Sequence, residues 1–276
     1  MKELSYWDAI ASSSLQTQHD GDWVRALHEG GREYIAVVDY HKGNLSSVRR
    51  GLEDAGAFVR VVDDPVLIAG AVGVVVPGVG SFEDAMGYMR SSGQDKALLE
   101  AIGAGVPYLG ICLGMQLLFE AGEESRDGKL VAGLGVLPGT VRKLESGRLK
   151  VPHMGWNQLD VEPLGEDCAL LRGVGAGENF YFTHSYAVPS EPGAAHQMAV
   201  THYASSFASV VAKDGVFGCQ FHPEKSSNAG ARILRNFVDV VNVRADALRE
   251  ADASTELPNA DALIQALAAH VKPEEA

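Results

Sequence analysis

The segment that most constrains the fold is Gly-Ile-Cys-Leu-Gly at positions 110–114, which follows a short apolar run and precedes another. A buried strand that enters a tight turn and then a helix, with glycines around one nucleophilic residue, is typical of a nucleophile elbow. The small flanking residues let the chain cross itself while the nucleophile takes an unusual backbone conformation. The pattern therefore predicts Cys112 as a nucleophile, and the alternative is a buried structural cysteine.

Two groups of backbone amides are predicted near this thiol. Because Cys112 would begin a helix, the helix dipole would favour its thiolate form, and the Leu113 amide would face a developing oxyanion. The glycine-rich strand end at 76–82 (Val-Pro-Gly-Val-Gly-Ser-Phe) offers a second amide, from Val79 or Gly80. The alternatives there are an ordinary strand-to-helix turn or a phosphate loop, and no Gly-Lys-Ser/Thr follows to favour the latter.

A base for the thiol is predicted in the segment Cys-Gln-Phe-His-Pro-Glu-Lys-Ser at 219–226. His222 follows an apolar strand and so lies at a sheet end, where open α/β folds bind their ligands. Glu224 is two residues further on, and alternate residues of an extended chain point the same way. Glu224 is therefore expected to orient the imidazole of His222 while its other nitrogen faces the thiol, as in a Cys-His-Glu triad.

The apolar pattern predicts an α/β domain with a mainly parallel sheet. Predicted strands at 34–40, 58–62, 72–76 and 108–111 alternate with helices at 45–55 and within 82–102. The later segments 151–161, 179–188, 198–203, 208–211 and 216–221 resemble consecutive strands, and a helix over 228–241 closes the domain. The first half is therefore expected to have three layers, and the second half to be rich in strands.

Composition excludes several classes of function. The 276 residues carry a formal charge of −13, which disfavours a nucleic-acid-binding face. No apolar run approaches the roughly 18 residues of a membrane span, and the N-terminus lacks the apolar stretch of a signal peptide. Three widely spaced cysteines predict no disulfide framework, so a cytoplasmic location is expected. The scattered histidines predict no metal site.

Domain boundaries follow from charge and glycine usage. Residues 33–241 are predicted to form the folded domain, with an N-terminal extension over 1–32 and a C-terminal helical extension over 242–276. Within the latter, four apolar side chains share one helical face: Leu263, Ile264, Leu267 and Val271.

The motifs in this order resemble the class I (triad) glutamine amidotransferases, which have a flavodoxin-like three-layer fold. More narrowly, the chain is similar to the glutaminase subunits of imidazole glycerol phosphate synthase. That resemblance rests on Asp-Tyr at 39–40 with Gly-Asn-Leu at 43–45, Pro-His-Met-Gly-Trp-Asn at 152–157 and Tyr-Phe-Thr-His-Ser-Tyr at 181–186.

The resemblance implies that Cys112, His222 and Glu224 hydrolyse L-glutamine through a thioester, without a cofactor, and that Leu113 and Val79 supply the oxyanion amides. Ammonia would pass to a (β/α)₈-barrel cyclase subunit in a heterodimer that makes imidazole glycerol phosphate and aminoimidazole carboxamide ribotide in histidine biosynthesis. The resemblance implies four substrate-binding residues, Gly80, Gln116, Ser185 and Tyr186, and assigns His184 a structural role. It implies three residues at the cyclase contact: Asn44, Trp156 and Lys225.

Two features depart from the family. His41 and Lys42 follow Tyr40 where the family has a glycine, so the first loop is expected to differ. The family is close to 200 residues long, so neither extension has a counterpart.

Two other functions remain open from the sequence. One is a class I glutaminase that serves nucleotide, anthranilate or pyridoxal phosphate synthesis, against which the segment 153–157 argues. The other is a non-catalytic regulatory or thiol-sensing module on the same fold, which an intact Cys-His-Glu set disfavours.

Overall fold

The computed structural model describes residues 33–254, except Ser146, Arg148 and Ala176. The predicted extension over 1–32 and the helical pattern within 258–271 lie outside the described residues. The helices are α1 Leu45–Asp54, α2 Pro65–Ala69, α3 Phe82–Ser92, α4 Gln94–Gly103, α5 Leu113–Gln116 and α6 Ser227–Ser254. The strands are β1 Ile35–Val38, β2 Val59–Val62, β3 Gly73–Gly78, β4 Tyr108–Cys112, β5 Phe119–Gly122, β6 Val131–Ala132, β7 Leu137–Lys143, β8 His153–Gln158, β9 Asp160–Val161, β10 Asn179–His184, β11 Tyr186–Ala187, β12 Gln197–Tyr203, β13 Ser205–Lys213 and β14 Val216–Cys219.

The main sheet has eight strands in the order β2-β1-β3-β4-β14-β13-β12-β9. The first five strands are parallel, and the last three join antiparallel. The parallel part has the order of flavodoxin-like folds, so the predicted α/β fold is confirmed.

Apolar layers cover both faces of this sheet, as the continuous apolar strands predict. One layer contains α3 and α4, with Phe82, Met86 and Leu98 fully buried. On the other face α6 contributes Phe237, and α1 contributes Leu52. Since β1, β3 and β4 run in parallel, their carboxyl ends meet at one edge, where Cys112 ends β4 and lies opposite Gly78 of β3.

Several predicted elements were wrong in extent. The helical stretch within 82–102 is two helices, because Gly93 between them takes a left-handed conformation. The predicted strands at 151–161 and 179–188 are each divided in two, and most of their residues form a separate antiparallel pair, β8 with β10. The four-stranded sheet β11-β7-β5-β6 was not predicted.

The closing helix is longer than the predicted 228–241, because α6 continues to Ser254. This continuation is attached to the domain. Arg244 donates a 2.8 Å hydrogen bond to the carbonyl of Ala104 just after α4, Ala245 is buried, and Arg249 pairs with Glu33. Within the described range, no helix is long and apolar enough to cross a membrane.

Candidate active site

Cys112 occupies a strained turn between β4 and α5, with φ 53° and ψ −105°. The two glycines around it make this turn possible. A Cβ on Gly110 would lie 2.4 Å from the Gly114 carbonyl oxygen, and one on Gly114 would lie 1.7 Å from the Val76 carbonyl oxygen. Because no side chain fits at these contacts, the turn requires glycine at both positions, as the elbow pattern predicts.

Cys112 begins a helix, as predicted, but the helix is short. α5 has only four residues, and the chain then enters β5 at Phe119. The predicted effect of the helix dipole on the thiol is therefore small, because one turn aligns too few peptide dipoles for a strong field.

His222 and Glu224 form a buried pair, with Nδ1 of His222 2.9 Å from Oε1 of Glu224. Pro223 begins a short 3-10 turn at residues 223–225 that brings the carboxylate back towards the imidazole. The His222 amide donates to the Tyr181 carbonyl, and Ser226 Oγ donates to the His222 carbonyl, so strand β10 fixes the segment.

The remaining nitrogen of the imidazole, Nε2 of His222, is buried and makes no hydrogen bond with the described residues. Cys112 is one of the two groups that act electrostatically on this imidazole. Burial lowers the pKa of His222, whereas the Cys112 thiol and the Glu224 carboxylate raise it, and the net result is about 10. The imidazole is therefore suited to hold a proton taken from the thiol.

A cavity of about 300 Å³ opens over Cys112. Seven of the residues predicted for the site line it: Val79, Gly80, Cys112, Leu113, Gln116, Ser185 and Tyr186. Segments far apart in sequence thus meet at one pocket, as open α/β folds predict for the carboxyl edge of the sheet. The His222–Glu224 pair is buried beside this pocket and does not line it.

Sequence reasoning missed Glu124, which also lines the cavity. Its Oε2 accepts a 2.9 Å hydrogen bond from the Phe82 amide at the start of α3. Burial raises the pKa of this carboxyl group. Glu124 follows β5, which was not predicted, so the sequence carried no signal for its position. Its carboxylate is suited to bind the ammonium group of an amino-acid substrate.

A second missed residue, Gln220, contacts the nucleophile. Its Nε2 lies 3.4 Å from the Cys112 sulfur, while the Thr183 carbonyl is 4.0 Å from that sulfur. Gln220 is two residues before His222, but no local pattern of residues places it against Cys112, from which it is separated by 108 positions.

His184 lies inside an aromatic cluster and bonds to other buried groups. Its Nδ1 is 2.9 Å from the Tyr186 carbonyl, and its Nε2 is 3.1 Å from Nδ1 of His153. Burial lowers the pKa of His184 to about 3 and that of His153 to about 4. Both rings are therefore neutral, which fits the structural role expected for His184.

The three residues expected at the cyclase contact lie on different elements. Trp156 is in β8, Lys225 lies beside Tyr181 of β10, and Asn44 precedes α1. Trp156 is 53% exposed, so it is not part of the core, and it packs edge-on against Tyr181, with 5.9 Å between the ring centres. Nζ of Lys225 is 6.0 Å from the centre of the Tyr181 ring. Asn44 precedes α1 and is partly exposed.

The first loop keeps a left-handed residue where the family has glycine. His41 has φ 62°, its amide donates to Oδ1 of Asp39 at 2.7 Å, and its Nε2 lies 2.9 Å from the Tyr88 hydroxyl. These contacts offset the strain of about 1 kcal/mol that a side chain adds in this conformation. Lys42 lies beside the pocket loop: its Cδ is 3.5 Å from where a Cβ on Gly80 would be.

All three cysteines are buried and free. Within residues 33–254, leaving out the three undescribed positions, no group of three or more His, Cys, Asp and Glu side chains is placed to hold a metal ion.

Known proteins resemble this chain in sequence and fold. The family described as "Glutamine amidotransferase class-I" matches residues 36–241. The imidazole glycerol phosphate synthase subunit HisH of Moorella thermoacetica is 48% identical over 208 residues, covering 75% of this chain and 95% of the relative. HisH of Synechococcus elongatus is 48% identical over 209 residues, covering 75% and 93%.

Solved structures agree on the fold. PurLQS from Thermotoga maritima superposes with a TM-score of 0.58 at 19% identity, covering 76% of this chain and 99% of that one. The glutaminase domain of Trypanosoma brucei CTPS with bound acivicin has a TM-score of 0.56 at 17% identity, covering 76% and 94%. The elbow, the buried pair and these similarities lead to one conclusion: the chain belongs to the class I glutamine amidotransferases and, within them, to the HisH subunits of imidazole glycerol phosphate synthase.

Proposed function

We propose that this chain is a glutaminase subunit that hydrolyses L-glutamine to glutamate and ammonia and supplies the ammonia to a cyclase subunit in histidine biosynthesis. The observation that carries the proposal is the Cys112 elbow at the floor of a cavity, with the buried His222–Glu224 pair beside the sulfur. The identity of 48% to HisH subunits over nearly their whole length supports the pathway.

In the first half-reaction, Nε2 of His222 takes the proton of the Cys112 thiol, and the thiolate attacks the side-chain amide carbon of glutamine. The amides of Leu113 and Val79 donate to the oxyanion that forms. When the carbon–nitrogen bond breaks, the imidazolium returns its proton to the leaving nitrogen, so ammonia departs and a thioester remains.

In the second half-reaction, Nε2 of His222 takes a proton from water, whose oxygen attacks the thioester carbon. The carbon–sulfur bond then breaks and glutamate is released. Cys112 is left as a thiolate beside the His222 imidazolium. Glu224 stabilises the imidazolium in both half-reactions and keeps Nδ1 protonated.

Substrate recognition falls to the polar groups around the cavity. Gln116 donates through its amide nitrogen to protein groups, which leaves its Oε1 to accept from glutamine. Gly80, Ser185 and Tyr186 contribute backbone or hydroxyl groups, and Glu124 binds the α-ammonium. The half-buried carboxylate of Glu124 would select an amino acid over a simple amide, because it attracts the charged α-ammonium group.

The partner is proposed to be a (β/α)₈-barrel cyclase that forms a heterodimer with this chain through Asn44, Trp156 and Lys225. Exposed apolar side chains support this: Met154 is 64% exposed and Trp156 is 53% exposed on neighbouring alternate positions of β8. Since Thr183 of the paired strand β10 lines the cavity, this surface extends to the mouth of the active site. Ammonia released at Cys112 would then enter the partner without crossing bulk solvent.

The folded unit is proposed to be the amidotransferase domain at 33–241, with residues 242–254 packed on it as the continuation of α6. Glu33 and Arg249 lie at the edge of the sheet where β1 begins, opposite the carboxyl edge that carries Cys112. Three free thiols fit a reducing compartment, and the cytoplasm is the proposed location.

The test of the nucleophile is Cys112→Ala, with Cys168→Ala as the control at another buried thiol. In the reconstituted complex, Cys112→Ala should lose glutamine-dependent synthesis while added ammonia still supports the cyclase. Cys168→Ala should retain both activities. Glutamine hydrolysis by Cys112→Ala would contradict the assignment.

The test of the partner is co-purification with the cyclase subunit. Trp156→Ala should weaken the complex about 10-fold or more, because exposed tryptophans at interface centres contribute most binding energy. Leu164→Ala, which removes another exposed apolar side chain, near β9, should leave binding unchanged. Binding to a different synthase, and not to the cyclase, would contradict the proposed partner.

A further inference from the structure

Two buried glutamine side chains connect the nucleophile to the wall of the substrate cavity. Gln116 Nε2 donates to the Tyr186 carbonyl at 2.8 Å and to Oε1 of Gln220 at 3.0 Å. Nε2 of Gln220 in turn donates to the Cys112 sulfur at 3.4 Å. Gln220 is fully buried and Gln116 is 4% exposed, so water does not compete for these contacts.

The orientation of both amides follows from a single group. The Tyr186 carbonyl can only accept, so the nitrogen of Gln116 must face it. The second N–H of that nitrogen then requires an acceptor, which fixes Oε1 of Gln220 towards Gln116. The NH₂ group of Gln220 must therefore face the sulfur, and a flipped amide would place its oxygen there instead.

We propose that Gln220 is a positioning residue that stabilises the Cys112 thiolate through its N–H group, and that Gln116 holds Gln220 in the orientation that makes this possible. An amide N–H group donates a strong hydrogen bond to the negatively charged thiolate and only a weak one to the neutral thiol. It therefore favours the charged form of the sulfur. It also fixes the sulfur towards His222. In this proposal the Gln220 side chain stabilises the thiolate, because the one-turn helix α5 is too short to do so through its dipole.

The arrangement also connects the nucleophile with substrate binding. Gln116 and Tyr186 line the cavity, so a glutamine molecule that contacts them acts on the same chain of hydrogen bonds. A change that rotates the Gln116 amide would also reorient the Gln220 amide and so alter its hydrogen bond to the Cys112 sulfur. The inference rests on the proposed role of Cys112 and refines it.

The test measures the rate at which iodoacetamide alkylates Cys112 as a function of pH, with the modified peptide quantified by mass spectrometry. This readout needs no bound glutamine and reports the thiolate directly. Gln220→Met removes the donor at similar size, and Gln220→Glu keeps the acceptor for Gln116 but places a carboxylate beside the sulfur. Gln197→Met is the matched control, since Gln197 is also buried and its Oε1 accepts from the Glu191 amide, away from the sulfur.

In Gln220→Met the midpoint of alkylation should move upward by about one pH unit, which is a roughly tenfold loss of thiolate below the midpoint. In Gln220→Glu it should move further. Gln116→Met should shift it in the same direction by less, and the double variant Gln116→Met/Gln220→Met should match Gln220→Met alone. Gln197→Met should match the parent chain.

Midpoints unchanged in folded Gln220→Met and Gln220→Glu, checked by thermal unfolding and cyclase binding, would overturn the proposal. If neither of these variants folds, the test uses Gln116→Met. An unchanged alkylation midpoint in Gln116→Met would also overturn the proposal. The proposed function is judged separately: it fails if Cys112→Ala hydrolyses glutamine, whereas unchanged midpoints with an inactive Cys112→Ala remove only the role of Gln220.

Discussion

Nδ1 of His222 and Oε1 of Glu224 are 2.9 Å apart, and their side chains are 2% and 1% exposed. A charged hydrogen bond withdrawn from water is stronger than one at the surface, because little solvent screens it. The pair therefore holds the imidazole in one tautomer and one orientation beside Cys112. The chemistry of the site depends on this contact.

Replacing Glu224 by Gln should lower kcat for glutamine by about 10²–10⁴-fold, because an amide of the same shape no longer stabilises the imidazolium. KM should change little, since Glu224 does not line the cavity. Steady-state glutaminase kinetics of the complex measure both. Ammonia-dependent synthesis is the internal control, and a variant with parental kcat would contradict the role of Glu224.

Replacing Glu124 by Gln should raise KM for glutamine about 10- to 100-fold, because it removes a charged partner of the α-ammonium. The change lies away from the reacting amide, so kcat should be nearly preserved. Glu123→Gln is the neighbouring control, since the Glu123 side chain is 40% exposed and 3.9 Å from Arg142. Equal KM values for both variants would show that Glu124 does not bind substrate.

Replacing Gly114 by Ala should destabilise the domain by about 4 kcal/mol or more, because the new methyl group would overlap the Val76 carbonyl. Gly87→Ala in α3 is the matched control: a Cβ there meets nothing within 4 Å. This control should stabilise the helix by about 0.5–1 kcal/mol. Urea unfolding of both variants checks the prediction, and a stable Gly114→Ala protein would contradict the elbow geometry.

Acid should destabilise the domain partly through His184. Burial lowers its pKa to about 3 in the folded chain, below the usual 6.5. The unfolded chain therefore binds more protons as the pH falls from 6.5 towards 3, and stability is lost over that range. His184→Phe should cost about 1 kcal/mol at pH 7 through lost hydrogen bonds. Between pH 7 and pH 4.5 its unfolding free energy should fall by about 2 kcal/mol less than that of the parent chain. If the unfolding free energy of the parent chain and of His184→Phe fell equally over this pH range, His184 would not contribute to the acid sensitivity.

The local chemistry of the site was predictable from short segments. Residues 110–114 predicted a turn that the structure confirms, because glycine is required wherever backbone atoms of β4, β3 and α5 come into contact. The spacing of His222 and Glu224 predicted their contact on the assumption of an extended chain, whereas the structure makes it through the 3-10 turn at 223–225.

Features that depend on long-range contacts were not predicted. The helix after Cys112 ends within one turn, and the chain then enters β5, which pairs with β7. The segments of β8 and β10 were predicted as strands without a pairing partner, and they pair with each other in a separate sheet. Periodicity describes which face of an element is apolar and says nothing about which element covers it.

By itself, the sequence determined the α/β class, the glycine-flanked turn at Cys112 and the family, because each depends on residue types at short, rigid spacings. Only the tertiary structure brought Glu124 to the cavity and Gln220 to the sulfur of Cys112, from which it is separated by 108 positions. Such contacts arise when separate strands end at the same edge of a sheet. Their geometry depends on how the apolar layers pack, and no local pattern of residues encodes that.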